Sequence, residues 1–199
     1  MLFSGLPFLY YFLPAVLVCY FAAPRKLKNA VLFVFSLIFY GWGEPRYIVL
    51  MIVSIVSGFV FALMIEKKQN KKSGLILMWI SVAVSLSFLL IFKYADFLIE
   101  NVNQLPGVSL PLSKLSLPIG ISFYTFQIIS YTVDVWRGDT KAQRNIISFG
   151  TYVSLFPQLI AGPIVRYTDI ERELQERKHS VTLAASGIQR FLIGLSKKV

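Results

Sequence analysis

Two apolar runs of equal length, Tyr47–Ile65 and Gly74–Phe92, flank the basic connection EKKQNKK. Each approaches the roughly 20 residues that carry an α-helix across the hydrocarbon of a bilayer. In lipid every backbone N–H and C=O must find its partner inside the protein, so a single run of this kind can only be helical. The pattern predicts an all-α fold, a polytopic transmembrane helical bundle. Composition agrees: 56% of residues are hydrophobic and 15% charged, with a mean hydropathy of +0.65, where an ordinary soluble domain carries about 25% charged residues.

Further runs follow the same logic. Leu6–Ala23 is apolar throughout and contains Pro14, which predicts a kink. Ala30–Trp42 is short for a span, and borrows the turns at Asn29 and Gly41-Trp42-Gly43 to reach the interface, where Tyr40 and Trp42 are natural anchors. Lys93–Ser116, with Pro106, Gly107 and Pro111, reads as a partly helical excursion at the interface. Leu117–Trp136 re-enters. Ser54, Gly58 and Ala62 recur every fourth residue, a small-residue stripe that lets another helix approach closely, and Ser81 with Ser85 repeats the device.

The net charge of +10 is not the footprint of a nucleic-acid partner, because the bases are spread over short loops instead of one folded surface. They report topology. Residues 24–29, 66–73 and 137–145 hold ten lysines and arginines. The intervening connections hold three, Arg46, Lys93 and Lys114, and the residues before Leu6 hold none. The positive-inside rule then puts the three basic loops in the cytoplasm and the N-terminus outside. Cys19 is the only cysteine, which excludes an internal disulfide and a Cys-rich metal site. Without a basic segment before the first run, a cleaved signal peptide is not expected.

Ile146–Val165 breaks the pattern. It is flanked by basic segments on both sides and interrupted by Pro157, Gly162 and Pro163, which predicts a broken or re-entrant helix, with a plain crossing as the alternative. The tail Thr182–Val199 is amphipathic, with Leu183, Ile188, Phe191, Leu192 and Leu195 on one side, and reads as an interfacial helix.

Candidate chemistry concentrates in Leu117–Val165. Tyr124, Gln127, Tyr131 and Asp134 step by three, four and three residues. On a helix they share an arc of roughly 80°. A polar stripe at membrane depth faces protein or water. It is either hydrogen-bonding glue between helices or the wall of a substrate passage. Asp134 can also pair with Arg137. The second candidate is Phe156-Pro157-Gln158-Leu159-Ile160-Ala161-Gly162-Pro163. There proline frees a carbonyl, Gly162 permits close approach and Gln158 adds an amide; a structural kink is the simpler reading. Arg166 completes the tunnel-lining candidates. The lone histidine, His179, stands in a charged segment with no serine or carboxylate arranged around it. There is no phosphate loop, nucleophile elbow or metal-ligand spacing.

LPIGISFYTFQIISYTVDVWRGDTKAQRN at 117–145 and YVSLFPQLIAGPIVRY at 152–167 closely resemble the membrane-bound O-acyltransferase family, in its bacterial branch containing alginate O-acetyltransferases. FYGWGEPRY at 39–47 and GIQRFLIGLSKKV at 187–199 fit the same branch. The resemblance implies an enzyme of the bacterial inner membrane that takes an acyl group from a cytoplasmic thioester, acetyl-CoA or another, with no bound cofactor. The implied acceptor is an exported polysaccharide such as alginate, reached with extracytoplasmic polysaccharide-acetylation proteins. The family's catalytic histidine lies in a later hydrophobic segment of a chain about twice this long. His179 does not match it, so no catalytic residue is assigned here. The family histidine is expected beyond Val199, and residues 1–199 read as the N-terminal part of a single transmembrane domain. Alternatives are the D-alanyl transferase of teichoic acids in the same family, a transporter, or a non-catalytic membrane scaffold.

Overall fold

A computed structural model describes residues 5–69, 71–104, 111–112, 116–159, 165–177 and 180–197. All of its regular structure is helical. The first apolar run opens with a π-helical turn, Phe8–Phe12, and continues as α1, Leu13–Ala22. Pro14 sits in the first turn of α1, and the wider i→i+5 turn before it absorbs the missing N–H, so the irregularity precedes the proline. A 3₁₀ turn at Arg25–Leu27 leads into α2, Lys28–Gly43, which extends the short Ala30–Trp42 run at both ends. A second 3₁₀ turn, Pro45–Tyr47, starts α3, Ile48–Lys67. After a tight turn α4 runs from Lys72 to Val102. It continues ten residues past Phe92, correcting the expected end of that span: no glycine or proline interrupts Lys93–Val102, so nothing stops the helix. Residues 105–110 and 113–115, with Pro106 and Gly107, lie outside the described residues.

α5, Ile121–Arg137, is the central element, packed against α3 and α4. α6, Ile146–Ser154, packs on α2 and α3, and the short α7, Phe156–Leu159, on α2. The basic and acidic residues after Val165 counted toward topology, with no element assigned to them. Instead Tyr167–Gln175 forms α8, with Tyr167 and Leu174 buried. The spacing of Tyr167, Ile170 and Leu174 at three and four is the helical signal that its many charges obscured. Finally α9, Val181–Ser196, has nearly every residue exposed, including Leu183, Ile188, Phe191 and Leu192.

The small-residue stripe does what its spacing requires. Ser54, Gly58 and Ala62 are buried, and a Cβ placed on Gly58 would lie 2.6 Å from Cγ2 of Ile128 in α5. The opposite faces of the long helices are apolar and exposed: Val49, Ile52, Val53, Val56 and Val60 on α3, Ile76, Trp79, Ile80, Leu90 and Ile91 on α4. Two contiguous apolar faces of this extent suit lipid, not water. Pro45–Lys67 and Lys72–Val102 are each long and apolar enough to cross a membrane. The architecture is that of an all-α membrane protein.

Candidate functional site

The site is built on α5. The helix starts after Gly120, whose φ of +79° is in the left-handed region; a Cβ there would also stand 2.9 Å from the carbonyl oxygen of Leu159. Only glycine meets both demands. From that start, Tyr124, Gln127, Tyr131 and Asp134 fall on the buried face, at 0%, 1%, 0% and 2% exposure. They lie among Ile121, Ile128 and Val135, so the polar stripe is covered by protein.

Within that face the polar atoms divide. The Tyr131 hydroxyl accepts the Gln143 backbone N–H at 2.7 Å. Among the described residues Tyr124 Oη, Gln127 Oε1 and Asp134 Oδ2 have no partner, as is also true of Tyr40 Oη on α2 and Ser81 Oγ on α4. A buried polar atom left unmatched costs about 1–3 kcal/mol. Three of these five atoms lie along one arc of one helix. That arc therefore keeps acceptors and a hydroxyl that no described residue uses.

The second motif is held by exchanged backbone partners. Asn145 Oδ1 caps α6 by accepting Ile147 N–H at 2.8 Å and Ser148 N–H at 3.3 Å, the N-cap role for which asparagine is suited. The helix stops at Leu155, where ψ is 112°. In an unbroken helix the Phe156 N–H would reach the Tyr152 carbonyl. Here it donates to Ser36 Oγ of α2 at 3.2 Å, and Gln158 Nε2 takes its place at the Tyr152 carbonyl, at 2.6 Å. The Gln158 amide nitrogen thus holds the break together. Pro157 is exposed, Gly162 and Pro163 lie outside the described residues, and Arg166 is exposed at the N-cap of α8.

The chain then turns back. Asn29 Nδ2, at the start of α2, donates to Ser148 Oγ at 2.9 Å and to the Leu174 carbonyl at 3.2 Å. One side chain therefore touches the first turn of α6 and the last turn of α8, so residues 146–177 enter and leave at the same end. Around it the three basic connections converge. Glu66 accepts the Ala142 N–H at 3.0 Å and pairs with Arg144. Thr140 Oγ1 donates to Glu171 Oε2 at 3.0 Å, and Gln143 Nε2 to Tyr167 Oη at 2.7 Å. Tyr131, Tyr152 and Tyr167 pack edge to face or tilted, with centroids 5.0 Å apart for Tyr131–Tyr167 and 5.2 Å for Tyr152–Tyr167. A polar cavity of about 300 Å³ opens here, lined by Glu66, Lys141, Ala142, Gln143, Arg144 and Glu171.

Sequence reasoning named Asn29 only as a turn and did not single out Glu66, Gln143, Tyr152 or Tyr167, and only the helical spacing of Tyr167 offered a signal. Chemically the arrangement can bind and orient. Among the described residues no cluster of three histidine, cysteine or acidic side chains could hold a metal, and His179 lies outside them.

No protein-family model matches the chain, and no solved structure matches it significantly. Curated relatives do match. All of the chain aligns with a probable alginate O-acetylase of Pseudomonas aeruginosa at 38% identity, covering 39% of that protein. It aligns over its whole length with a probable alginate O-acetylase of Azotobacter vinelandii at 38% identity, covering 41%. A peptidoglycan O-acetyltransferase of Helicobacter pylori is 29% identical, again over the whole chain, which covers 44% of it. The chain thus spans 39–44% of the length of these relatives. With the motifs at 117–145 and 152–167 folded around one buried helix face, this similarity to alginate O-acetylases runs along the whole chain and fits the membrane-bound O-acyltransferase family that those motifs resemble.

Proposed function

We propose that these residues form the donor-side wall and entrance of a membrane O-acetyltransferase acting on an exported cell-surface polysaccharide. The carrying observation is the similarity, along the whole of this chain, to proteins named for O-acetylation of alginate and of peptidoglycan. In the reaction an acceptor hydroxyl attacks the thioester carbonyl of acetyl-CoA. The C–S bond breaks as the new C–O ester forms, and the hydroxyl proton leaves with the thiolate to give free coenzyme A.

The protein sits in the bacterial cytoplasmic membrane as a multi-pass unit with its N-terminus outside. The convergence of the basic connections supports this orientation, because all three charge-rich loops then share the cytoplasmic face with the arriving thioester. Asp134 and Tyr131 stand at the donor end of the α5 face, and Gln127 and Tyr124 stand deeper. Partners are the polysaccharide acceptor and acetylation proteins on the outer side. In membranes containing the intact protein, acetyl-labelled CoA is expected to transfer label to polysaccharide. Export of polymer with no label transfer would replace the enzyme with a transporter, and transfer of alanyl groups from a carrier-protein thioester would point to the D-alanyl transferase.

A further inference from the structure

Two of the basic connections meet at a place that the acyl-transfer reading does not use. Where α4 begins and α5 ends, Lys71, Lys72, Leu75, Trp136 and Arg137 line a recess of about 480 Å³. The three cations are exposed, and among the described residues none of them has a carboxylate within ion-pair distance. Three like charges around one recess repel each other and are relieved by a shared anion. Below the recess the same helix presents Leu75 and, one turn on, Trp79, both exposed, beside exposed Ile76 and Ile80. Trp136 at the rim is the residue type that settles at the level of lipid headgroups. A cationic recess that opens onto an apolar helix face matches an amphiphile with an anionic head better than it matches a soluble anion.

We infer that this recess binds the phosphate headgroup of an anionic phospholipid, with the acyl chains lying along α4 over Leu75 and Trp79. Binding loosens as salt rises, because the cations are exposed and screened. Each cation removed weakens it about fivefold, the usual worth of one lysine or arginine at a charged membrane surface.

The test is native mass spectrometry of the intact protein in detergent, titrated with phosphatidylglycerol or phosphatidylcholine. Phosphatidylglycerol is expected to stay bound at concentrations where phosphatidylcholine does not. Lys71→Gln, Lys72→Gln and Arg137→Gln should each weaken retention by about fivefold, Lys71→Arg should retain it, and Arg25→Gln in a different basic loop should change nothing. These exposed substitutions leave the lipid-free melting temperature unmoved, which separates lost binding from lost fold. Equal retention of the two lipids overturns the proposal, as does wild-type retention by all three neutralised variants. Displacement of phosphatidylglycerol by millimolar inorganic phosphate or coenzyme A would also overturn it, by making a soluble phosphate the occupant.

Discussion

At the scale of single residues, the two tyrosines of the α5 face make a controlled comparison. Both are fully buried, yet only Tyr131 has its hydroxyl engaged, by the Gln143 N–H. Tyr131→Phe strands that N–H and is expected to cost about 1–3 kcal/mol in a detergent unfolding experiment. Tyr124→Phe removes a buried hydroxyl that has no partner among the described residues and is expected to leave stability unchanged or raise it by up to about 1–3 kcal/mol. A drop in acetyl transfer by Tyr124→Phe at unchanged stability would show that substrate meets this hydroxyl. Equal destabilisation by the two variants would refute the division of the face into engaged and unengaged atoms. Gln158 shows why residue roles were only half legible. Its place beside Pro157 announced a break, but the break's chemistry depends on Ser36, 120 residues away in sequence from Phe156.

At the scale of elements, the sharpest constraint is the close approach of α3 and α5. Gly58 faces Ile128 and, 3.4 Å from where its Cβ would be, the ring of Phe149 in α6. Gly58→Val must push three helices apart, and an overpacked core of this kind costs about 1–3 kcal/mol. The loss should appear as a lower melting temperature in detergent. A variant that melts with the wild type would mean that α3 and α5 are not in the contact described. The fourfold spacing of Ser54, Gly58 and Ala62 made a close-packed helix face readable beforehand. Which helix fills it was not readable, because many apolar helices would satisfy the same groove. α8 escaped for the opposite reason: its charged residues dominate the composition, while Tyr167, Leu174 and the half-buried Ile170 carry its packing on the core among the described residues.

At the scale of the whole molecule, Asn29 brings the start of α6 beside the end of α8, and the membrane topology that this favours can be tested. With Cys19→Ser as background, single cysteines at Lys26, Lys68, Lys141 and Arg172 are expected to react with a membrane-impermeant maleimide only after permeabilisation. Cysteines at Arg46 and Gln104 should react in intact cells. Labelling of the Arg172 position from outside would show instead that residues 146–165 cross the membrane. In the same arrangement Tyr131 and Asp134 lie at the end of α5 where the basic loops converge, so its polar face runs away from that end. By itself the sequence determined the helical class, the long spans, the glycine and proline punctuation and the polar arc on one helix. These follow from local periodicity and from the demand that backbone polar groups be satisfied in lipid. Only the tertiary structure decided that 146–177 returns to its starting end, that Gln158 closes the break at Leu155, and that the α5 arc is buried. Each of those depends on contacts such as Asn29 with Leu174, 145 residues apart, and no local pattern encodes which distant groups will meet.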